Sequence, residues 1–219
     1  NWPSAKELKL LNEALTKDNF FSEWEAVEGQ TANNAAEGKP VSGDDIRLHY
    51  RDGKFPAFRL RITLKEYAPV ERCFIKALYL GSKYGIFTDL IRNDQPALLP
   101  GESVSLEFAQ NNKLSKTIPV SIDPAYKNYQ VTEVTDYLKI IVSTAEFDAD
   151  RYKQDSLQLD LSPQTAKTRD LGGGEEVNDQ PYWSVFTFSV TCVAESSEQQ
   201  LPAGGTADFV VAVDFEAAG

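Results

Sequence analysis

The sequence predicts an all-β fold, namely an antiparallel β-sandwich of about nine strands with one N-terminal helix. In most segments large apolar side chains recur at every second position, as in Phe58-Arg-Leu-Arg-Ile-Thr-Leu64. This period places one face of a strand in a core and the other in water. Short turns rather than long helical segments separate these strands, which favours antiparallel sheets over βαβ units. A barrel is the alternative architecture.

Each predicted strand is bounded by turn residues or by a change of period. Cys73–Leu80 is apolar on both faces except at Lys76, which is typical of a central strand. Pro119 has no N–H to donate, so its strand should lie at a sheet edge or be bulged. We expect two helical turns, one starting at Asp123-Pro124 and one within Phe147–Gln154. The predicted strands are Ile46–Tyr50, Phe58–Leu64, Cys73–Leu80, Tyr84–Ile91, Ser103–Phe108, Ile118–Ile122, Tyr137–Thr144, Trp183–Val193 and Phe209–Phe215.

The N-terminal segment has a different pattern. Ser4 and Glu7 have the spacing of a capping box. Apolar residues then recur at helical intervals from Leu8 to Leu15, which predicts a helix from about Ala5 to Lys17. Four aromatic residues flank this helix, and we expect them to dock on the sandwich or on a neighbouring domain. These candidate interface residues are Trp2, Phe20, Phe21 and Trp24.

The chain divides into three predicted segments. Residues 1–26 form the helix and the aromatic docking segment. Residues 27–45 contain almost no large apolar side chain and are predicted to be a linker or loop. Residues 46–219 form the sandwich, interrupted by a long polar loop at 162–181.

Charge and composition exclude some classes of partner. The formal net charge of −11 repels phosphate backbones and anionic lipid surfaces, so we expect neither nucleic acid nor membrane as a partner. No apolar stretch reaches the roughly 18 residues of a membrane span. The start at Asn1 lacks signal-peptide features and the chain has no Met, so we expect a fragment or a processed product. No signal specifies a compartment, and a cytoplasmic location is favoured.

Residues that could support nucleophilic catalysis are scarce. A Cys or Ser nucleophile needs a base within hydrogen-bond reach, usually His. The only histidine, His49, falls on the polar face of its strand. Cys73 and Cys192 lie in apolar runs, so we expect two buried free thiols, with a disulfide between strands as the alternative. We therefore predict no catalytic residues.

Metal and cofactor sites are not predicted either. Zinc requires several Cys or His ligands, which this chain lacks, and no EF-hand pattern is present for calcium. The three carboxylates in Glu146-Phe-Asp-Ala-Asp150 are expected to cap a solvated turn. Gly172–Gly174 is not followed by the Lys of a phosphate-binding loop and is predicted to be a flexible linker.

Several segments of the sequence resemble the accessory β-sandwich found C-terminal to caspase-like peptidase domains in bacteria. The likeness covers roughly Asp45 to Val193, and its most specific phrase is Thr135-Asp-Tyr-Leu-Lys-Ile-Ile-Val-Ser-Thr-Ala-Glu-Phe-Asp148. The resemblance implies that the catalytic His–Cys dyad of a parent protein lies upstream of this chain, and it transfers no catalytic or ligand residue. The other phrases are Phe58–Leu64, Cys73–Leu80, Tyr84–Phe87, Leu99–Ser103, Thr168–Gly174 and Tyr182-Trp183.

These observations lead to a functional expectation. We expect a non-catalytic interaction or regulatory module whose partner is a protein, either the caspase-like catalytic domain or its substrate or regulator. The alternative is a carbohydrate-binding or adhesive sandwich of a secreted bacterial protein, although Trp183, at the head of a core strand, is expected to pack inside. A stand-alone hydrolase using two acids is a third and weaker hypothesis.

Overall fold

The computed structural model describes residues 15–27, 37–92, 94–110, 113–127, 129–157 and 182–195, and twelve strands supply most of its regular secondary structure. Helical structure in these residues is limited to helix α1 (Pro124–Lys127) and to 3₁₀ turns at Lys17–Asn19 and Asp150–Tyr152. The strands are β1 (Phe20–Val27), β2 (Lys39–Val41), β3 (Asp45–His49), β4 (Ala57–Leu64), β5 (Phe74–Leu80), β6 (Ile86–Phe87), β7 (Ser103–Ser105), β8 (Phe108–Gln110), β9 (Lys113–Ser115), β10 (Ile118–Pro119), β11 (Glu133–Ser143) and β12 (Trp183–Val193).

Two five-stranded sheets contain all but two of these strands. The first sheet has the order β10-β4-β1-β2, with β7 also paired to β4, and every pair in it is antiparallel. The second sheet has the order β3-β12-β11-β5-β6. Strands β8 and β9 form a separate antiparallel hairpin. The all-β prediction is confirmed.

One pair corrects the prediction of purely antiparallel sheets. Strand β3 runs parallel to β12, with Ile46 opposite Val190 and Leu48 opposite Cys192. Parallel neighbours need a long connection rather than a tight turn. These two strands are far apart in the sequence, so turn signals cannot reveal their relative direction.

The two sheets share one core through their inner faces. Trp24 of the first sheet packs edge-on against Phe188 of the second, with ring centroids 5.2 Å apart. Phe58 stacks on Tyr79 across the same interface at 6.5 Å. The arrangement is sandwich-like, because the interior consists of interdigitated apolar side chains from two facing sheets.

The predicted docking segment contributes an interior strand. Strand β1 lies between β4 and β2, and its inward positions include Phe20, Trp24 and Ala26. Ser22 occupies the remaining inward position of this series, which obscured the period of two in the sequence. Strand β2 and the first residue of β3 fall within the segment predicted to be a linker.

Other predictions differ in their bounds or fall outside the described residues. The return strand predicted for Tyr84–Ile91 is confined to β6, because the chain leaves the sheet after Phe87. Strand β11 begins four residues before the predicted Tyr137. The predicted helix, except for its last three residues, lies outside the described residues. The whole loop at 162–181 and the strand Phe209–Phe215 also lie outside them.

Both helical turns and the edge position of Pro119 are confirmed. Helix α1 starts where expected, and the Asp123 Oδ1 atom accepts the N–H of Ala125 at 2.8 Å. The second turn is the 3₁₀ turn at Asp150–Tyr152. Pro119 belongs to β10, the edge strand of the first sheet.

Face-to-face packing predicts a large cost for truncating Phe188, which is 1% exposed. Phe188→Ala should lower the free energy of unfolding by about 3–5 kcal/mol, measured by urea denaturation, because it leaves a cavity between the sheets. The control is Thr187→Ala, an exposed neighbour on the same strand, which should change it by less than about 0.5 kcal/mol. Equal changes in the free energy of unfolding for the two variants would contradict the packing of Phe188 between the sheets.

Candidate functional site

A cleft of about 500 Å³ opens on the side of the molecule where the edges of the two sheets, β6 and β10, face each other. The volume is in the range of sites that bind small molecules or side chains. Strand β11 and the turn after β5 supply polar groups to its lining. The apolar part of the wall consists of Phe87, Leu90, Phe108, Ile118, Pro119 and Val120.

Asp136 is the buried charged group of this cleft. It occupies an inward position of β11, in phase with Leu138 and Ile140, and only 8% of its surface is exposed. Its Oδ2 atom accepts the hydroxyl of Tyr79 at 2.6 Å, and its Oδ1 atom accepts the backbone N–H of Ser82 at 2.6 Å. Burial raises the pKa of the Asp136 carboxyl above its usual value, although the hydrogen bonds from Tyr79 and from the N–H and hydroxyl of Ser82 oppose that shift.

The same carboxylate affects its neighbours. Burial, reinforced by the charge and hydrogen bond of Asp136, raises the pKa of Tyr79 well above its ordinary value, so its hydroxyl remains a donor. Lys83, at the rim, forms an ion pair with Asp123 at 2.5 Å. The hydrogen bond from Lys83 is the main reason why the pKa of Asp123 is lowered. The cleft therefore combines an ion pair at its rim with one buried carboxylate.

Sequence reasoning missed this site, although one signal was present. An acid at position 136 shares its phase with Leu138, Ile140 and Val142, which the sequence predicted to point inward. Charged residues are rarely fully buried without a partner. An acid in the inward phase of a core strand could therefore have marked the position.

A second feature is an exposed apolar surface on the outer face of the second sheet. We call it the Trp183 face and define it by Trp183, Val185, Ile141 and Phe74. Cross-strand register places Trp183 and Phe74 on either side of Ser143, with Val185 beside Ile141 in the next row. Trp183 is 66% exposed and Val185 37% exposed. The expectation that Trp183 packs in the core is wrong, because position 183 has the outward phase of β12.

The charge of this face differs from that of the chain as a whole. The three cross-strand rows nearest Trp183 contain no carboxylate, and their two charged residues are Lys76 and Lys139. Lys76 is buried and its Nζ atom donates to the Arg92 carbonyl, while Lys139 donates to the Thr187 hydroxyl. The strands of these rows therefore contribute no carboxylate, and the nearest acids of the lining around Lys76 are Glu146 and Asp148 of the loop that follows β11.

The outer face of the first sheet has the opposite character. Glu25 and Arg59 are directly paired across β1 and β4, with 3.0 Å between their charged atoms. Glu23 and Arg61 form the next opposite pair at 3.8 Å. Opposite charges in cross-strand register suit a face in contact with water. Of the two outer faces, that of the second sheet is the better candidate for binding another molecule.

The predicted interface residues are found in different environments. Phe20 and Trp24 are buried in the core, so this segment docks on the sheets of its own chain. Phe21 points outward and is 54% exposed, with the Lys65 ammonium 4.4 Å from the centre of its ring. Trp2 lies outside the described residues.

The cysteines and the histidine do not come together. Cys192 lies opposite Leu48 and points into the core, whereas His49 points outward from the next position of β3. Cys73 and Cys192 lie beside opposite ends of β11. A strand rises about 3.3 Å per residue, so the two residues are about 30 Å apart. This distance is far too long for a disulfide bond. Both are free thiols, and burial raises the pKa of each to about 12.

The acidic stretch before the second helical turn has a structural role. The Asp148 Oδ1 atom accepts the N–H of Asp150 at 2.9 Å, and Asp150 accepts the Thr88 hydroxyl at 2.6 Å. In the residues that the structure describes, no group of three or more His, Cys, Asp or Glu side chains could hold a metal ion. The helices within those residues are too short or too polar to cross a membrane.

Comparison with known proteins identifies no relative. No protein-family model, curated protein or solved structure matches this chain.

The raised pKa of Asp136 predicts a pH-dependent contribution to stability. The folded state holds this proton more tightly than the unfolded state, so the stabilisation is complete below the unfolded pKa and is lost as pH rises through the folded pKa. Relative to Asp136→Asn, the wild type should therefore lose free energy of unfolding over that window, by about 1.4 kcal/mol per unit of pKa shift.

Urea denaturation of both proteins between pH 3 and pH 8 measures this difference. The control is Tyr137→Phe, an outward neighbour without a carboxylate, whose difference from the wild type should not change over this range. A constant difference between wild type and Asp136→Asn would show that the carboxyl has the same pKa in both states.

The two thiols should be unreactive in the folded protein. At pH 8 a pKa of about 12 leaves very little thiolate, which is the reactive form, and burial blocks access. Titration with Ellman's reagent should detect almost no thiol in the native chain and two per chain in denaturant without reductant. Rapid reaction of either thiol in the native state would contradict the buried positions.

Proposed function

We propose that this chain is a non-catalytic interaction module that binds another protein through the Trp183 face. The supporting observation is that this surface exposes a large aromatic side chain among apolar neighbours, with no carboxylate in the surrounding rows. The sequence resemblance makes a caspase-like peptidase domain the expected partner, with a substrate or regulator of that domain as the other possibility.

The chemistry of interfaces favours this surface. Tryptophan is enriched among the residues that contribute most to protein binding, and charged residues are depleted at interface centres. Single exposed apolar residues are ordinary on any protein, but contiguous ones are less common. Here Trp183, Val185 and Ile141 are neighbours on two paired strands, which gives a partner a continuous apolar contact.

The proposed lack of catalysis has separate support. The two thiols have raised pKa values and point into the core, while the histidine points to the opposite side of its sheet. A nucleophile and base on opposite sides of a sheet cannot exchange a proton directly. The sequence resemblance also implies that the catalytic dyad belongs to a separate domain.

The test is to mix the purified chain with a separately purified caspase-like domain of its parent protein. Association should be measurable by calorimetry, together with a change in peptidase rate. Trp183→Ala should weaken association by about 30-fold, which corresponds to about 2 kcal/mol for a residue central to an interface. Phe21→Ala is the matched control, because Phe21 is an exposed aromatic residue on the opposite sheet. Absence of both association and rate change would reject the proposal.

Carbohydrate binding is a second candidate, and the exposure of Trp183 favours it. Aromatic rings that stack on sugars must be accessible, and Trp183 is 66% exposed. The disulfide that this hypothesis allowed is excluded by the distance between Cys73 and Cys192. Glycan-array binding that is lost in Trp183→Ala would support this function, whereas an array without hits would remove it.

A further inference from the structure

Asp136 is a buried carboxylate without a positively charged partner among the described residues. Its hydrogen-bond donors, namely the Tyr79 hydroxyl and the N–H and hydroxyl of Ser82, are all neutral. Lys83, which lines the same cleft, forms an ion pair with Asp123, with 2.5 Å between its Nζ atom and Asp123 Oδ2. Removing a carboxylate from water is unfavourable unless a cation compensates for it. The part of the chain that the structure describes therefore leaves this charge uncompensated.

The fold does not require the negative charge at this position. An asparagine amide could accept the N–H and the hydroxyl of Ser82 through its oxygen and bond to the Tyr79 hydroxyl through its nitrogen. The hydrogen bonds that Asp136 makes are thus available to a neutral side chain of the same shape. The charge adds a desolvation cost without an additional bond, which suggests a role in recognition.

The surroundings specify the ligand that would match this charge. The other two carboxylates of the cleft are paired, Asp123 with Lys83 and Asp89 with Lys153 at 3.0 Å. One negative charge therefore remains, beside a wall of aromatic and aliphatic side chains. The three donors from Tyr79 and Ser82 leave one of the roughly four lone-pair sites of the Asp136 carboxylate for another donor. The complement is an apolar group with a single positive charge.

We propose that the cleft binds a molecule with an apolar body and one ammonium or guanidinium group, which pairs with Asp136. The positive group can belong to a peptide side chain or to a free organic amine. The cleft lies between the sheet edges, on the inner side of β11, and the Trp183 face lies on its outer side. This site is therefore separate from the proposed protein interface, and each can be tested independently.

Isothermal titration calorimetry of the full chain with phenethylammonium tests the charge requirement. The neutral isostere 2-phenylethanol should bind at least about ten-fold more weakly, because it cannot pair with the carboxylate. Asp136→Asn should remove this preference. Glu133→Gln, which neutralises an exposed acid on the same strand, should leave the affinity for phenethylammonium unchanged. Equal binding of the two probes to the wild type would overturn the proposal.

A second variant keeps the test decisive if Asp136→Asn does not fold. Phe87 is 45% exposed at the cleft wall, so Phe87→Ala should preserve the fold and weaken phenethylammonium binding several-fold. Unchanged affinity would place the probe outside the cleft and would contradict the proposal. Circular dichroism of each variant confirms that it is folded.

A third arm distinguishes the two sources of the positive group. A blocked tripeptide with lysine between two leucines offers the cation as a peptide side chain, and phenethylammonium offers it as a free amine. Tighter binding of the tripeptide would identify a peptide ligand, and tighter binding of the amine would identify a small molecule. Binding of neither would overturn the proposal.

Discussion

The pairing of β11 with its two neighbours is the constraint on which the rest of the structure depends. Strand β11 pairs with β12 along eleven positions and with β5 along seven. Its inward side chains Leu138, Ile140 and Val142 are fully buried against the first sheet. A slip of one residue would turn every side chain of a strand to the other face. The depth of Asp136 and the exposure of Trp183 are therefore fixed by the same register.

The outward side chains of the two sheets differ in charge and polarity. On the first sheet, glutamate and arginine alternate in opposite positions and neutralise each other beside water. On the second sheet, Trp183, Val185 and Ile141 occupy the equivalent outward positions. Both sheets contribute buried side chains to the same core, so the difference lies in their outward positions. The proposal that the Trp183 face binds another protein would account for this difference.

Much of the fold could be predicted from period-two alternation, and the failures have physical causes. The bounds of β12 match the prediction because apolar or β-branched residues occupy nine of its eleven positions. Strand β1 was missed because Ser22, a small polar residue, interrupts its inward series. The direction of β3 relative to β12 depends on a contact between distant segments, which local patterns do not encode. Trp183 was misassigned because hydrophobicity alone does not distinguish inward from outward positions at a strand end. The cleft could not be predicted from the sequence, because it forms between the edges of two sheets whose relative placement local patterns do not encode.

The hydrogen bonds around Asp136 bear on how the cleft could bind a cation. Tyr79 and Ser82 fix the carboxylate orientation before any ligand arrives, so binding would not have to order this side chain. The carboxylate has also already lost most of its water during folding, since it is 8% exposed. A cation entering the cleft would therefore meet an acceptor that is oriented and largely desolvated. Interactions between charges are stronger in such surroundings than in water, so a single carboxylate can discriminate between a positive and a neutral ligand of the same shape.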